Sequence, residues 1–152
     1  MTKQIELSQG KVALVDDSDY QEINAHKWHA HFTGWSWYAG TRIDKKTIGM
    51  HSLITGFTKT DHIDGDGLNN KRNNLRYATT AQNAWNRKKQ KTKSTSQFKG
   101  VWWNKEKENW QSAIRFFGKR IFIGGFDSEI EAAEHYDAMA KKLFGAFAKT
   151  NF

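Results

Sequence analysis

The chain has 152 residues, enough for one domain or two small ones, with 24 Lys and Arg against 16 Asp and Glu and no cysteine. That composition excludes disulfides, thiolate zinc sites and cysteine nucleophiles, and no apolar run approaches the roughly 18 residues a bilayer span requires. The net charge of +8 points to a polyanionic partner.

The charge is uneven. Residues 1–60 carry 7 basic and 6 acidic side chains, whereas residues 61–97 carry 8 and 3. The middle of the chain is therefore the electrostatic focus. Met1–Leu7 is polar and lacks the apolar core of a secretory signal. With no cysteine present, the expectation is an intracellular, cytoplasmic protein.

In chain order, Ile5, Leu7, Val12 and Leu14 alternate around Gln9-Gly10, which predicts a hairpin over Lys3–Val15. Asp16, Asp17, Ser18 and Asp19 offer N-caps for a short helix through Tyr20 and Ile23. A strand pair is expected at Trp35–Ile43 and Lys46–Met50, turning at Asp44-Lys45, then a short helix from His51 ending at Gly56. His26, His29 and His31 lack a fourth ligand and read as ordinary strand or loop residues.

Residues 60–87 read as a strand end, a Gly/Asn-rich loop, a strand at Leu75–Ala78 and a helix over Thr80–Arg87 capped by Thr79 or Thr80. Arg87–Gln97 holds no apolar residue and reads as a solvated basic linker. Three strands follow at Lys99–Asn104, Trp110–Phe116 and Lys119–Gly124. Ser128 and Glu131 then open a capping-box helix whose apolar stripe is Ile130, Ala133, Tyr136, Ala140, Leu143 and Phe144.

Asp61-His62, with Asn74 twelve residues on and Asn83 nine beyond, carries the chemistry. Phosphodiester cleavage needs charge neutralisation at the phosphate and a base for the attacking water. Asp61 and Asn83 supply the oxygen donors that Mg²⁺ prefers. His62 titrates near neutrality and serves as the base, and Asn74 can offer a carbonyl to hold it. Asp64-Gly65-Asp66-Gly67 fails as a calcium loop because Leu68 and Leu75 stand at ligand positions five and twelve. Asp64 and Asp66 therefore read as turn formers.

These residues, with Ile63-Asp64-Gly65, Asn69-Asn70, Asn73-Asn74-Leu75-Arg76 and Gln82-Asn83, resemble an HNH endonuclease of the His-Asn-Asn variant found in phage and intron homing enzymes. The similarity extends upstream through Gly10–Asp17, Lys27-Trp28, Trp37-Tyr38-Ala39 and Met50-His51. The resemblance implies a ββα-metal fold. Asp61 and Asn83 would bind one Mg²⁺ or Mn²⁺, His62 would act as general base, and Asn74 would position it or brace the loop. His51 is a candidate neighbour of the site. Ser52 stands where related sequences carry an arginine.

Phe98–Val101, Trp110-Gln111, Ile114-Arg115, Gly118–Arg120, Ile123-Gly124, Phe126-Asp127, Glu131–Ala133, Tyr136-Asp137 and Asn151-Phe152 resemble an AP2/ERF DNA-binding domain. The resemblance implies a three-stranded sheet read against the major groove, with Lys99, Trp102, Asn104, Gln111, Ala113, Arg115, Arg120 and Phe122 as DNA contacts. That set does not follow simple alternation throughout, so bulges or reach from the strand ends are expected. Trp110 and one of Trp102 and Trp103 are expected in the core. Acidic Glu129, Glu131, Glu134 and Asp137 leave the helix off the DNA.

The sequence thus predicts an α+β protein in three parts. Residues 1–87 form a nuclease module with N-terminal β-hairpins and a ββα core from about 48 to 87. Residues 88–97 are a linker in which Lys88, Lys89, Lys91 and Lys93 track a DNA backbone, and residues 98–152 are the DNA-binding domain. The expected activity is metal-dependent, site-specific cleavage of double-stranded DNA by a monomer or weak dimer. No small-molecule cofactor or membrane is expected. The alternative is a non-catalytic, sequence-specific DNA-binding regulator.

Overall fold

The computed structural model describes residues 1–89 and 94–152. Within them the fold is α+β, built from small antiparallel sheets and four α-helices. Backbone packing divides it into two units, Met1–Asn83 and Ala84–Phe152.

In the first unit β1 (Thr2–Glu6) pairs with β2 (Val12–Asp16). The tight turn between them sets both Gln9 and Gly10 at positive φ. Helix α1 (Asp17–Asn24) follows at once. Its acidic N-terminus does not cap it as expected: Asp16 makes no side-chain cap bond. Instead Asp16 accepts the backbone N–H of Arg72 at 2.8 Å, and Asp19 takes the Arg72 guanidinium at 2.7 to 3.1 Å. The acids brace a distant loop rather than their own helix.

β3 (His29–Phe32), β4 (Trp37–Ile43) and β5 (Lys46–Gly49) form a second sheet in the order β3-β4-β5. The β4–β5 turn puts Asp44 and Lys45 at positive φ, the conformation that matches the strand twist in a two-residue hairpin. β3 is a strand that the histidine-rich sequence left undecided. Helix α2 (Met50–Thr55) ends at Gly56, whose φ is 72°.

β6 (Thr60–His62) then pairs with β7 (Leu75–Tyr77), matching Asp61 to Arg76 and His62 to Leu75. Helix α3 (Thr80–Trp85) follows and is shorter than expected. Thr79 and Gln82 close its start reciprocally: Thr79 N–H donates to Gln82 Oε1 at 2.8 Å, and Gln82 N–H to Thr79 Oγ1 at 3.3 Å. Ile5, Ala13, Val15, Ile23, Trp28, Ala30, Ala39, Met50, Ile54 and Leu75 make one core beneath these elements.

In the second unit β8 (Val101–Asn104), β9 (Asn109–Phe116) and β10 (Lys119–Phe126) form an antiparallel sheet with β9 central. Helix α4 (Glu129–Phe144) packs on one face, its first turn capped by Ser128 Oγ. Ala132, Ala133, Tyr136, Ala140 and Phe144 are buried against the sheet. Ile130, expected in that stripe, is 55% exposed. Trp85 stacks on Phe144 with ring centroids 4.7 Å apart and on Phe116 at 5.6 Å, so this side chain joins the second core. No described helix is long and apolar enough to cross a membrane.

Candidate active site and nucleic-acid interface

Residues 63–74 connect β6 to β7 and are pinned along their length. Leu14 N–H donates to Leu68 O and Asn70 N–H to Leu14 O, both at 2.8 Å, so the loop docks on the edge of β2. Gly67 N–H donates to Ser36 Oγ at 3.0 Å. Asp64 and Asp66 shape the turn, as their sequence suggested, by accepting the N–H groups of Asp66 and Leu68.

Asp61 and His62 are brought to the end of β6 and are 3% and 4% exposed. His62 Nε2 lies 3.2 Å from Asn70 Oδ1, and Asn70 is wholly buried. The Asn70 amide nitrogen points to Gly67 O at 3.4 Å, which turns its oxygen to the imidazole. That oxygen can only accept, so Nε2 carries the proton and the basic lone pair is at Nδ1. Burial pushes the His62 pKa down, opposed by Asn70 and by the carboxylates of Asp64, Asp61 and Asp66.

Asn74 contacts the loop instead. Its amide donates to Asp64 Oδ1 at 2.9 Å and Asn69 O at 2.8 Å, while its oxygen accepts Asp64 N–H at 3.1 Å. Of the two roles foreseen for Asn74, the geometry gives it the bracing one, and Asn70 takes the place beside the histidine. Burial raises the Asp64 pKa, but hydrogen bonds from Asp66, Asn69 and Asn74 outweigh it and hold the carboxyl below its ordinary value.

His51 does come to the site. Its ring stands edge-on to His62 with centroids 5.2 Å apart, and Tyr38 meets both rings. Among the described residues His51 Nδ1 is buried without a hydrogen-bond partner. Burial, then the neighbouring His62 and His31, lower its pKa to about 4. Both imidazoles are therefore neutral at pH 7.

Asn83 donates its amide N–H to Thr60 O at 3.4 Å, fixing this α3 side chain to the strand that carries Asp61. Among the described residues no group of three or more His, Cys, Asp or Glu is placed to hold an ion. The chemistry of the donors nevertheless fits a hard cation. One carboxylate and one amide oxygen suit Mg²⁺, which keeps most of its own waters. Asp61 also has a partner that its sequence did not announce: Arg76 donates Nε and Nη2 to Asp61 Oδ2 at 2.9 and 2.7 Å.

In the second unit the register decides which residues share a face. Trp102 pairs with Gln111, Asn104 with Asn109, Arg120 with Arg115 and Phe122 with Ala113. Strand alternation then puts Trp102, Asn104, Gln111, Ala113, Arg115, Arg120 and Phe122 together opposite α4. These seven need no bulge, since the register shift between Phe122 and Gly124 follows them, and Lys99 of the expected set lies before the start of β8. Trp103 and Trp110 pair on the α4 side, with rings 5.3 Å apart.

The outer face is not uniform. Arg120 lies 4.5 Å over the Trp102 ring, and Phe122 is 56% exposed. Gln111 and Ala113 are buried. Asn104 Oδ1 accepts the N–H groups of Glu106 and Lys107 and shapes the β8–β9 turn.

Lys99 donates its ammonium to Trp85 O and Arg87 O at 2.8 and 2.7 Å, and burial lowers its pKa to about 8. Lys89 donates to Ser94 Oγ and Phe98 O. The geometry gives both lysines internal partners, and Lys88 is exposed. Lys91 and Lys93 lie outside the described residues.

The chain is 31% identical over 147 residues to an uncharacterized HNH endonuclease of Acanthamoeba polyphaga mimivirus, covering 93% of this chain and 75% of that one. It is 37% identical over 89 residues to protein 3.8 of Escherichia phage T7, covering 59% of this chain and 72% of that one. Over 58 residues, 38% of this chain, it is 40% identical to an AP2-like ethylene-responsive transcription factor of Arabidopsis thaliana, of which it covers only 12%. No family model and no solved structure matches the chain.

Proposed function

The chain belongs to the HNH endonuclease family, and from that premise we propose that it is a metal-dependent, site-specific endonuclease acting on double-stranded DNA. The observation that carries the reading is His62. It is neutral, buried beside Asp61, and held through Nε2 by Asn70, with Asn83 tied to the same strand. A hydrolytic base needs this combination of a fixed tautomer and an unprotonated nitrogen at neutral pH.

In this reading His62 Nδ1 takes the proton of the attacking water. Asn70 keeps the imidazole in the competent tautomer, and Asn74 holds the loop that carries Asn70. Asp61 and Asn83 would hold one Mg²⁺ or Mn²⁺, which when bound supplies charge neutralisation at the scissile phosphate. The outer face of the second sheet would select the site, with Arg120 stacked on Trp102 and Arg115 beside it as candidate guanine readers.

Supercoiled plasmid carrying a library of phage and host DNA fragments tests the activity. Nicking that needs Mg²⁺ or Mn²⁺, stops with EDTA and is absent from His62→Ala is the expected result. Duplex binding with no cutting in either metal would move the chain to a DNA-binding regulator.

A further inference from the structure

Asp61 sits directly across the β6–β7 ladder from Arg76, and two guanidinium N–H groups converge on its Oδ2 at 2.9 and 2.7 Å. The Asp61 side chain is 4% exposed and that of Arg76 is 18% exposed. An ionised carboxylate buried to this extent requires a cation beside it, and here the protein supplies one. Yet Asp61 is also the only carboxylate in the proposed ion site. One buried carboxylate, two cations: a guanidinium and a divalent ion at the same carboxylate repel each other in a medium of low dielectric constant.

Resting on the endonuclease reading, we infer that Arg76 is the resident counter-ion of Asp61, which a divalent ion must displace in order to bind. Three features support the exchange. Among the described residues the pair lies in a two-stranded sheet, with no strand beyond β7. Arg76 is the more exposed partner, so its head can leave Asp61 for solvent without dragging β7. Its chemistry also gives it a destination, since a guanidinium released from a carboxylate binds a phosphodiester in the same forked manner. Arg76 is thus a positioning residue that couples the two ligands: ion binding at Asp61 makes a phosphate-binding arginine available.

The test needs no turnover. Mn²⁺ binding is measured by electron paramagnetic resonance on the full chain, as wild type, Arg76→Gln, Arg76→Lys and Asp61→Asn. Competition predicts that Arg76→Gln binds Mn²⁺ at least about fivefold tighter than wild type, because the ion no longer expels a cation. The same variant should melt lower in EDTA and gain more in melting temperature from Mn²⁺. Arg76→Lys, which keeps the charge but loses the fork, should fall between and serves if Arg76→Gln does not fold.

Duplex binding is then compared in His62→Ala and His62→Ala/Arg76→Gln, with and without Mn²⁺. The affinity gained on adding Mn²⁺ should shrink when Arg76 is absent. Equal or weaker Mn²⁺ binding by Arg76→Gln would overturn the competition, and an unchanged Mn²⁺-dependent gain in DNA affinity would overturn the coupling. Mn²⁺ binding that Asp61→Asn leaves intact would instead remove the ion site itself, a failure of the underlying reading distinguishable from both.

Discussion

His51 and His62 are two imidazoles in edge-on contact, both held neutral by burial. The sign of the resulting pH dependence follows from the unfolded chain, where a histidine titrates near 6.5. As pH falls below that value the unfolded chain takes up a proton first, while His51 in the folded protein resists until about 4. Stability present above pH 6.5 is therefore lost between pH 6.5 and 4, by an amount on the order of 3 kcal/mol from His51. His62 adds to the loss in the same direction. Melting temperature followed from pH 7.5 to 4.5 should show a shallower decline for His51→Gln than for wild type, and parallel curves would refute this assignment.

Asn70 offers a second test. Replacing the residue that holds His62 with alanine should lower kcat by about tenfold to a hundredfold, as removal of a supporting hydrogen bond commonly does, and leave Mn²⁺ affinity unchanged. Equal loss in both quantities would mean that the loop had collapsed. Asp61 and His62 were legible in the sequence because their spacing to Asn74 and Asn83 was read as a unit. Asn70 was not. Four asparagines within Asn69–Asn74 are chemically alike, and only the docking of the loop on Leu14 tells which one faces the imidazole. Arg76 was hidden for a related reason: a cross-strand partner is set by register, which the twelve intervening loop residues leave open.

Elements in this chain are held by polar ties as much as by apolar stripes. The second unit shows it at both ends. Asp137, buried on α4, accepts the backbone N–H groups of Asn151 and Phe152 at 2.8 and 3.0 Å, and Asn151 Oδ1 accepts Lys99 N–H at 2.6 Å. At the entry to β8, Gly100 has φ of 76°, and an added Cβ would lie 2.2 Å from the Tyr136 ring and 2.7 Å from Ala113 O. Gly100→Ala thus combines left-handed strain with a clash against α4. It should destabilise the unit by roughly 2–4 kcal/mol, visible as a lower melting temperature and lost duplex binding. Gly118→Ala is the control, since its turn has the same sign of φ but open space around it.

Helix α4 and the three strands were readable from periodicity and the Ser128 cap, because local pattern and packing agree there. Two features were not. Ile130 fits the helical stripe but lies in the first turn of α4 and stays exposed. Trp85 belongs by sequence position to the helix after the Asn-rich loop, yet its ring completes the aromatic cluster of Phe116 and Phe144. Periodicity describes a residue's own element and is silent about distant partners.

For the whole molecule the two units carry different residue chemistry, and the proposed function divides between them: Asp61, His62 and Asn83 cut, while Trp102, Arg115, Arg120 and Phe122 read. Binding and cleavage should then separate genetically. His62→Ala should keep the wild-type affinity for a selected duplex while losing nicking. Arg120→Ala should weaken that duplex by about tenfold to a hundredfold, the cost of one bidentate base contact, and relax preference at one base pair. Its nicking rate at saturating protein should survive. Lys88→Ala, at an exposed position proposed to meet phosphate, should weaken all duplexes alike and lower the slope of log K against log salt by about one. That slope counts the phosphates neutralised in the complex, so binding must be measured at several salt concentrations. If Arg120→Ala behaved like Lys88→Ala, with uniform weakening and a shallower salt slope, the second sheet would be an electrostatic clamp, and the selection of the cleavage site would have to come from the first unit.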